Sequence, residues 1–320
     1  MHANVISATA PGKVMLWGEY AVLTGAPAAM LAVDRYARCT IEPQPSGWSV
    51  QTPGFADEPL TLTHEELLNT PATGARALQQ ALLVLADNAA QVPSGGSVIL
   101  DTREFHYNQH KLGIGSSAAI ATATCQAVAT LLSCDASFAK ARQVHDQLQG
   151  KRGSGADVAA AWFGGALRYQ EGQATPLGSI ALSNWSFWWT GQAASTSAHV
   201  QRFQRWSADS DHAPLDALSD ASYALFECLD ANTLRRYIDC LRALDVAAQL
   251  GIYSPAHTDL HQLAIAHQVV YKPCGAGGGD VGAAYCADAA ALAAFASAAQ
   301  DQGYLQLDLA RSEHGVYQSR

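Results

Sequence analysis

The 320-residue chain is 49% hydrophobic and 15% charged, which is a globular composition and excludes a disordered chain. A formal net charge of −9 without any basic run argues against a nucleic-acid partner. Seven cysteines without a C-x-x-C pair indicate reduced thiols, and the N-terminus lacks the regions of a signal peptide. We therefore expect a cytoplasmic protein, long enough for two domains.

The first third of the chain is predicted to be mainly strands. Apolar runs rich in β-branched residues predict strands over residues 5–8, 13–17, 28–41, 48–51, 60–62 and 97–101. The longest of these, residues 28–41, fits either a strand pair or one strand with a bend. Residues 74–89 place leucines at helical spacing and predict a helix.

A glycine-rich loop leads into an uncharged helix in the middle of the chain. Residues 111–119 read Lys-Leu-Gly-Ile-Gly-Ser-Ser-Ala-Ala, and the run 112–134 contains no charge. Two glycines let the backbone approach a ligand closely, and the start of a helix attracts anions. Seven Ser, Thr and Gln residues in the run favour a buried core helix over a membrane span. The loop therefore predicts a phosphate site, with Lys111 as a mobile charge.

Other interpretations of this loop are weaker. A Walker A loop is excluded because its lysine follows the glycines, whereas Lys111 precedes them. A dinucleotide fingerprint fits Gly113-x-Gly115-x-x-Ala118, but the nearest strand ends too early, and Asp135 belongs to a helix cap. A glycine loop without any ligand stays open on this stretch alone.

The remaining chain is predicted to alternate helices, glycine turns and strands. A helix over residues 136–148 should end at Gly150, and a second polar glycine stretch, residues 151–157, should open another helix. The pattern shifts near residues 176–182, so we place the domains at 1–178 and 179–320. The second half predicts strands at 186–190 and 281–286, a turn at 191–197, helices at 214–249 and 254–269, and a closing Ala-rich helix.

The few lysines cluster at glycines. Of five lysines, four lie in or beside glycine segments: Lys13, Lys111, Lys151 and Lys272. Cations concentrated at glycine loops in an acidic chain indicate a phosphate-rich ligand, although four unrelated turns are the alternative. Asp157 is the natural partner for Lys13, and together with the serine-bearing loop they supply what phosphoryl transfer requires.

Two further features of the sequence indicate neither a metal site nor a nucleophile. The pair His257 and His261 has helical spacing but no third ligand nearby, which favours an ordinary helix over a metal site. Cys274 lies beside a glycine run without an adjacent histidine, so we expect a small buried side chain and not a nucleophile.

Three segments together resemble the motifs of the GHMP family of small-molecule kinases. They are residues 10–20, residues 111–119 and residues 275–282, in the family's order and at its separations. The resemblance implies an α+β, two-domain GHMP kinase-like fold with the active site between the domains. It also implies ATP and Mg²⁺ as cofactors, a small-molecule substrate, no membrane partner, and a monomer or homodimer.

The resemblance also implies roles for individual residues. Lys13 and Asp157 would be the catalytic pair. The ATP phosphates would lie at Lys111, Gly113, Gly115, Ser116 and Ser117, and Ser117 would also be the metal ligand. Substrate contacts are expected from Glu19, Tyr20, Ser154, Gly155, Ser195, Thr196, Ser197, Gly277 and Gly278. A metal-binding Glu of the family has no clear counterpart, because His145 and Asp146 occupy the nearby positions.

Details of the motifs bear on the acceptor. At Tyr20, at Asp280 and in the Lys111 lead-in, the sequence differs from the usual pattern of one alcohol-phosphorylating branch of the family. Residues 189–196 resemble a segment typical of a branch whose acceptor is a phosphate. They favour a phosphate monoester acceptor, which is already ionised near neutral pH and needs cations more than a base. The alternatives are a kinase acting on an alcohol, a non-catalytic binding protein on the same fold, and a dehydrogenase.

Overall fold

The computed structural model of the chain describes residues 5–150, 153–178, 180–194, 196–209 and 211–319. These residues form fourteen strands and ten α-helices. The strands are β1 (Ile6–Trp17), β2 (Ala28–Gln44), β3 (Gly47–Thr52), β4 (Ala56–Leu62), β5 (Gly95–Asp101), β6 (His106–Tyr107), β7 (His110–Lys111), β8 (Ala166–Gln170), β9 (Gln173–Pro176), β10 (Trp185–Trp189), β11 (Val270–Pro273), β12 (Val281–Tyr285), β13 (Leu305–Leu307) and β14 (Tyr317–Ser319). The helices are α1 (His64–Asn69), α2 (Arg76–Leu85), α3 (Ser116–Leu131), α4 (Phe138–Gln149), α5 (Ala156–Phe163), α6 (Thr196–Asp209), α7 (Ala213–Glu227), α8 (Ala231–Ala248), α9 (Pro255–Ala266) and α10 (Ala289–Asp301).

The larger sheet has eight strands, in the order β14-β1-β2-β5-β3-β4, with β8 beside β2 and β9 beside β8. Residues 5–8 and 13–17 were expected as separate segments, but they form the single strand β1, whose register shifts between Pro11 and Gly12. Of the two alternatives for residues 28–41, the structure shows a single strand, since β2 continues without interruption to Gln44. The glycine loop packs against the β1–β2 pair at Gly12 and Lys13.

The uncharged run of the sequence forms α3, which lies in the core beside the larger sheet. We call the part of the protein around the larger sheet the first half, and the part around the smaller sheet the second half. The helix packs on β1 and β2, and its other sides contact α2, α4 and α5. Burial on all sides explains why the segment carries no charge and shows no polar face. No helix in the described part of the chain combines the length and apolar character that crossing a bilayer requires.

The smaller sheet is antiparallel, in the order β11-β12-β10-β13. Helices α9 and α10 contact this sheet, while α7 and α8 pack against each other. Although β13 belongs to the smaller sheet, β14 returns to pair with β1 in the larger one. The domain limits of 1–178 and 179–320 remain a prediction.

Three segments differ from expectation. The expected turn at residues 191–197 is cut short, because α6 begins at Thr196. The helix expected over 214–249 is two helices, and Asp230 caps the second by accepting the Thr233 N–H at 2.7 Å. Helix α2 ends at Leu85 and not at residue 89, because Ala86 is extended.

Candidate active site

The glycine loop packs closely against residues from both sheets, Lys13 in β1 of the larger sheet and Asp280 just before β12 of the smaller one. Gly113 and Gly115 have left-handed backbones, with φ of +77° and +89°. A Cβ on Gly113 would lie 2.2 Å from Asp280 Cγ, and one on Gly115 would lie 2.8 Å from Lys13 Cγ. Only glycine permits both the backbone and the close contacts at these positions. The loop thereby brings Lys13 and Asp280 to its two flanks.

Three helix N-termini converge on one cavity of about 210 Å³, called here the central cavity. It is lined at Ser116 and Ser117 of α3, at Ala156 and Asp157 of α5, and at Thr196 of α6. Each helix start carries unpaired N–H groups and a partial positive charge of about half a unit. Their convergence makes the central cavity a site for polyanions.

Two lysines and one aspartate face each other in this cavity. Burial lowers the pKa of Lys111, Asp280 opposes that shift, and repulsion by Lys13 adds to it. Lys111 lies at the open edge, where its side chain reaches solvent while the walls still limit its hydration. Burial raises the pKa of Asp280, against the Ala194 N–H and the two lysines, which lower it. The central cavity therefore holds two cations and a partly desolvated acid.

Lys13 and Asp157 both line the central cavity, as the sequence predicted, but they form no ion pair in the described structure. The Lys13 backbone N–H donates to Ile114 O at 2.8 Å, which ties β1 to the glycine loop. The Asp157 carboxylate instead accepts the Val158 N–H at 2.9 Å and lies 3.7 Å from His145 Nε2. Lys13 thus faces Asp280, and Asp157 faces a histidine.

A cluster of oxygen and nitrogen atoms surrounds Ser117. Its Oγ lies 3.0 Å from His145 Nε2, and the Gln149 amide donates to the same Oγ at 3.2 Å. Mg²⁺ prefers oxygen ligands and is usually held by one or two carboxylates together with water and phosphate. Ser117 and Asp157 fit that pattern, whereas no group of three or more His, Cys, Asp or Glu in the described residues could hold a metal. These residues fit an ion that binds together with phosphates.

His145 occupies the position near which the resemblance implies an acidic metal ligand. His145 is buried and lines the central cavity, while Asp146 points away from it. Asp146 accepts the Gly153 N–H at 3.3 Å and lies 3.9 Å from Arg142 Nε. Helical geometry separates these neighbours by about 100° around the α4 axis, so only one of them can face the cavity. The acid suggested by the resemblance is therefore absent from this wall.

Glu19 and Lys272 form a buried ion pair that joins the two halves. Lys272 Nζ lies 2.5 Å from Glu19 Oε1, and both side chains are fully buried. The Tyr237 hydroxyl donates to Glu19 Oε2, and the Gly275 N–H donates to Oε1. Burial alone would lower the pKa of Lys272, but Cys274 and Glu19 outweigh it and raise the pKa. Lys272 thus stays charged to support the structure, which corrects its assignment to the phosphate-binding cations.

Tyr20 is held across the same junction. Its hydroxyl donates to Ala276 O at 2.6 Å, and its ring packs on Phe203 of α6 with centroids 5.2 Å apart. Glu19 and Tyr20 line the central cavity, as expected, but the carboxylate of Glu19 is already engaged on both oxygens. Both residues fasten residues 275–276 to the first half and thereby shape the wall of the cavity.

The predicted site residues divide into two groups. Those that line the central cavity are Lys13, Glu19, Tyr20, Lys111, Gly113, Gly115, Ser116, Ser117, Ser154, Asp157 and Thr196. Those that do not line it are Gly155, Ser197, Gly277 and Gly278. Gly277 and Gly278 instead leave room for Ile252 and His199 behind the wall, and Gly155 leaves room for Arg142. Ser195 and Lys151 lie outside the described residues.

The structure adds residues that the sequence reading did not assign to the site. Asp280 and Gln149 line the central cavity, as do the apolar side chains of Met15, Val22, Leu23, Met30 and Val200. Alternation along β1 offered a signal for Met15, because it lies two residues from Lys13 and therefore on the same face. Helical spacing in α6 offered a signal for Val200, since Val200, Phe203 and Trp206 recur every three residues.

A second cavity of about 390 Å³, the side cavity, lies on the other flank of the glycine loop. It shares Lys111, Ser116 and Ser117 with the central cavity. Its remaining lining comes from the first half alone: Thr52, Gly54, Phe55, Thr73, Gly74, Arg76, Ala77, Leu100, Thr102, His106, Ile120 and Leu148. A ligand that crosses the glycine loop could therefore occupy both cavities.

The histidine pair and Cys274 have structural surroundings. His257 is buried with Nδ1 2.8 Å from the Tyr271 hydroxyl and Nε2 2.9 Å from Gly279 O, and burial lowers its pKa to about 4. His261 Nδ1 lies 3.3 Å from Tyr271 O. Burial raises the pKa of Cys274 to about 11, so its thiol stays protonated near neutral pH.

Comparison with known proteins defines the class. Residues 76–165, from α2 to the start of β8, match the GHMP kinases N terminal domain. This match confirms the resemblance to the GHMP kinases over the segment that holds the glycine loop, and solved kinase structures share the expected α+β fold.

Particular relatives are similar along most of the chain. A phosphomevalonate kinase of Streptomyces sp. (strain CL190) is 29% identical over 337 residues, covering 86% of this chain and 88% of the relative. A mevalonate kinase of Bos taurus is 27% identical over 352 residues, covering 88% and 86%. The structure of Streptococcus pneumoniae phosphomevalonate kinase, in complex with phosphomevalonate and AMPPNP, superposes with a TM-score of 0.76 at 20% identity. That superposition covers 96% of this chain and all of the other.

Proposed function

We propose that the protein transfers the γ-phosphate of ATP to (R)-5-phosphomevalonate, forming 5-diphosphomevalonate in the mevalonate pathway of isoprenoid synthesis. The observation that carries the proposal is that Lys13 and Lys111 line one cavity with three helix N-termini. A phosphate donor and a phosphorylated acceptor bring several negative charges together, and these groups offset them. The similarity to the Streptomyces phosphomevalonate kinase along 86% of the chain supports the same acceptor.

The two cavities suit the two ligands of this reaction. We assign the nucleoside of ATP to the side cavity, its phosphates to residues 113–117, and the acceptor to the central cavity. Phe55 in the side cavity offers an aromatic face to a base. The apolar side chains of the central cavity suit the carbon skeleton of the acceptor. Mg²⁺ bound with the phosphates, at Ser117 and Asp157, would offset part of their charge.

The chain's residues then act mainly by charge and position. An oxygen of the acceptor phosphate forms a bond to the γ-phosphorus as the bond between that phosphorus and ADP breaks. A phosphate monoester is largely a dianion at neutral pH, so no base has to remove a proton. Lys13 offsets the charge of the two approaching phosphates, Lys111 assists, and Asp157 positions its neighbours around Ser117.

Phosphorylation of an alcohol, as in mevalonate kinase, is the second candidate. The Asp157 carboxylate lines the central cavity and remains 31% exposed, so a base is available there. Relatives named mevalonate kinase also match this chain, among them the Bos taurus enzyme. The two candidates differ in whether the acceptor carries a phosphate before the reaction.

A comparison of acceptors tests the assignment. ADP release with ATP and Mg²⁺ should proceed with 5-phosphomevalonate at a kcat/KM that exceeds the value for mevalonate by roughly 10²-fold or more. The reason is that mevalonate lacks the acceptor phosphate, so the lysines lose one of the two phosphate groups whose charge they offset. Faster turnover of mevalonate would reject the proposal in favour of an alcohol kinase. Binding of ATP without turnover on either acceptor would indicate a binding protein on a kinase fold.

Substitution of Gly113 tests the role of the glycine loop. In Gly113→Ala the new Cβ would meet Asp280 Cγ at 2.2 Å, so the loop must move away from the second half. We expect turnover to fall by roughly 10²-fold, since small misplacements of reacting groups have effects of that size. Gly47→Ala is the matched control, because Gly47 has a similar φ of +73° and nothing within 4 Å of its Cβ position. Equal loss of activity in both variants would argue against a special role for this loop.

A further inference from the structure

Asp280 has an uncommon backbone that its surroundings enforce. Its φ is +58°, a left-handed conformation that few residues other than glycine adopt. Its N–H donates to Gln192 O at 2.7 Å, and its C=O accepts the Thr190 N–H at 3.0 Å. Backbone strain that the fold maintains in this way often marks a functional position. The strain here fixes the direction in which the carboxylate points.

The carboxylate points into a cavity built for anions. It packs against Gly113, where an added Cβ would lie 2.2 Å from Asp280 Cγ, and its Oδ1 accepts the Ala194 N–H at 3.0 Å. It lines the central cavity together with Lys13 and Lys111. A negative charge at this place repels phosphates, so its presence needs a compensating benefit.

That benefit concerns the two lysines. Lys13 and Lys111 repel each other, and Asp280 is the acid that acts on both. Among the residues that the structure describes, Lys13 and Asp280 are the charged groups that shift the pKa of Lys111, and Asp280 also faces His199 of α6. Removal of the carboxylate would leave two like charges side by side in a cavity with limited hydration. Such a pair separates or loses a proton.

We propose that Asp280 is a positioning residue, which holds the ammonium groups of Lys13 and Lys111 toward the phosphates that are being joined. The inference deepens the proposed function, since it rests on phosphoryl transfer in the central cavity, but not on which acceptor is used. When the phosphates enter, they replace Asp280 as the counter-ions of the lysines. The acid thereby keeps the empty cavity ready for two polyanions.

The variant Asp280→Asn removes the charge and keeps the shape. The amide oxygen still accepts the Ala194 N–H, so the link between residues 113 and 194 survives. We expect kcat to fall about tenfold or more. KM for ATP and for the acceptor should stay equal or decrease, because a repulsive charge has gone. The alkaline limb of the rate profile should move to lower pH, because Lys111 loses the carboxylate that favours its protonated form.

A measurement without turnover separates this inference from the proposed function. The chain has only five lysines, so ¹³C-dimethyl-lysine NMR can follow the titration of Lys111, assigned with a Lys111→Arg variant. Asp280→Asn should lower the pKa of Lys111, and Asp239→Asn, an exposed site on α8, should leave it unchanged. This result is expected whether the acceptor proves to be 5-phosphomevalonate or mevalonate.

Two outcomes would overturn the role of Asp280. An unchanged Lys111 titration and an unchanged kcat would show that the carboxylate does not act on the lysines. A raised KM with a lower melting temperature and an unmoved pH profile would show that Asp280 only joins the loop to residues 190–194. Failure of 5-phosphomevalonate as an acceptor, with the Lys111 shift present, would reject the proposed substrate and leave Asp280 in its role.

Discussion

Replacement of Lys13 by Met is expected to lower kcat by about 10²- to 10³-fold, the usual loss when one charge that stabilises a transition state is removed. The Lys13 side chain lies directly over Gly115 at the start of α3, where the transferring phosphate would lie. Methionine keeps the length and the apolar stem, so packing against Gly115 should survive. ATP binding, followed by calorimetry, should change far less than kcat, since the side cavity does not include Lys13.

Two further variants serve as the control and the comparison for the Lys13→Met rate. Lys140→Met removes a lysine of α4 whose Nζ donates to Asp135 O and that does not line the central cavity, and it should leave the rate unchanged. Asp157→Asn should cost less rate than Lys13→Met, because a phosphate monoester needs no base. If Asp157→Asn removed as much rate with binding intact, Asp157 would act as more than a positioning group. The alcohol acceptor would then be favoured.

Features of the site that depend on neighbouring residues could be predicted from the sequence. The loop at residues 111–119 combines glycines, serines and a strong helix former within nine positions, and α3 begins at Ser116 as that pattern indicates. Gly150 ends α4 with a left-handed backbone, also as predicted. These signals are local, so propensity and capping are enough to read them.

Features that depend on distant partners could not be predicted. Lys272 lies beside a glycine run like the other lysines, and only its ion pair with Glu19, 253 positions away, shows that it is structural. Asp280 likewise gains its role from Gly113 and Lys111 across the junction. Whether a charged residue contacts a ligand or a buried partner is decided by tertiary structure, and composition and spacing carry no information on it.

The sequence of α6 contains a helical signal that the turn-forming residues before it outweighed. Residues 191–197 contain Gly, Ser and Thr, which favour a turn, and that interpretation extended past Thr196, where the helix begins. Val200, Phe203 and Trp206 follow at helical spacing, and Phe203 packs on Tyr20. Thr196 thus contributes to the central cavity from a helix start and not from a loop.

Loss of the Lys272 charge should give the largest change in stability. Lys272→Met leaves the Glu19 carboxylate buried without its counter-ion, which typically costs about 3–5 kcal/mol in the free energy of unfolding. A domain is usually stable by only about 5–15 kcal/mol, so this loss is a large part of the total. Urea unfolding should show the decrease. Arg311→Met, which breaks the partly exposed pair with Glu313, should cost less than about 1 kcal/mol.

The double variant Glu19→Gln with Lys272→Met separates charge from packing. The single amide oxygen at position 19 can still accept from the Tyr237 hydroxyl, but the amide nitrogen then faces the Gly275 N–H, so only part of the lost stability should return. Because Glu19 fixes residues 275–276 at the wall of the central cavity, Lys272→Met should also raise KM for the acceptor. KM for ATP should change less, since the side cavity is lined by the first half alone. Equal weakening of both ligands would show that the ion pair supports the whole fold and not the junction between its halves.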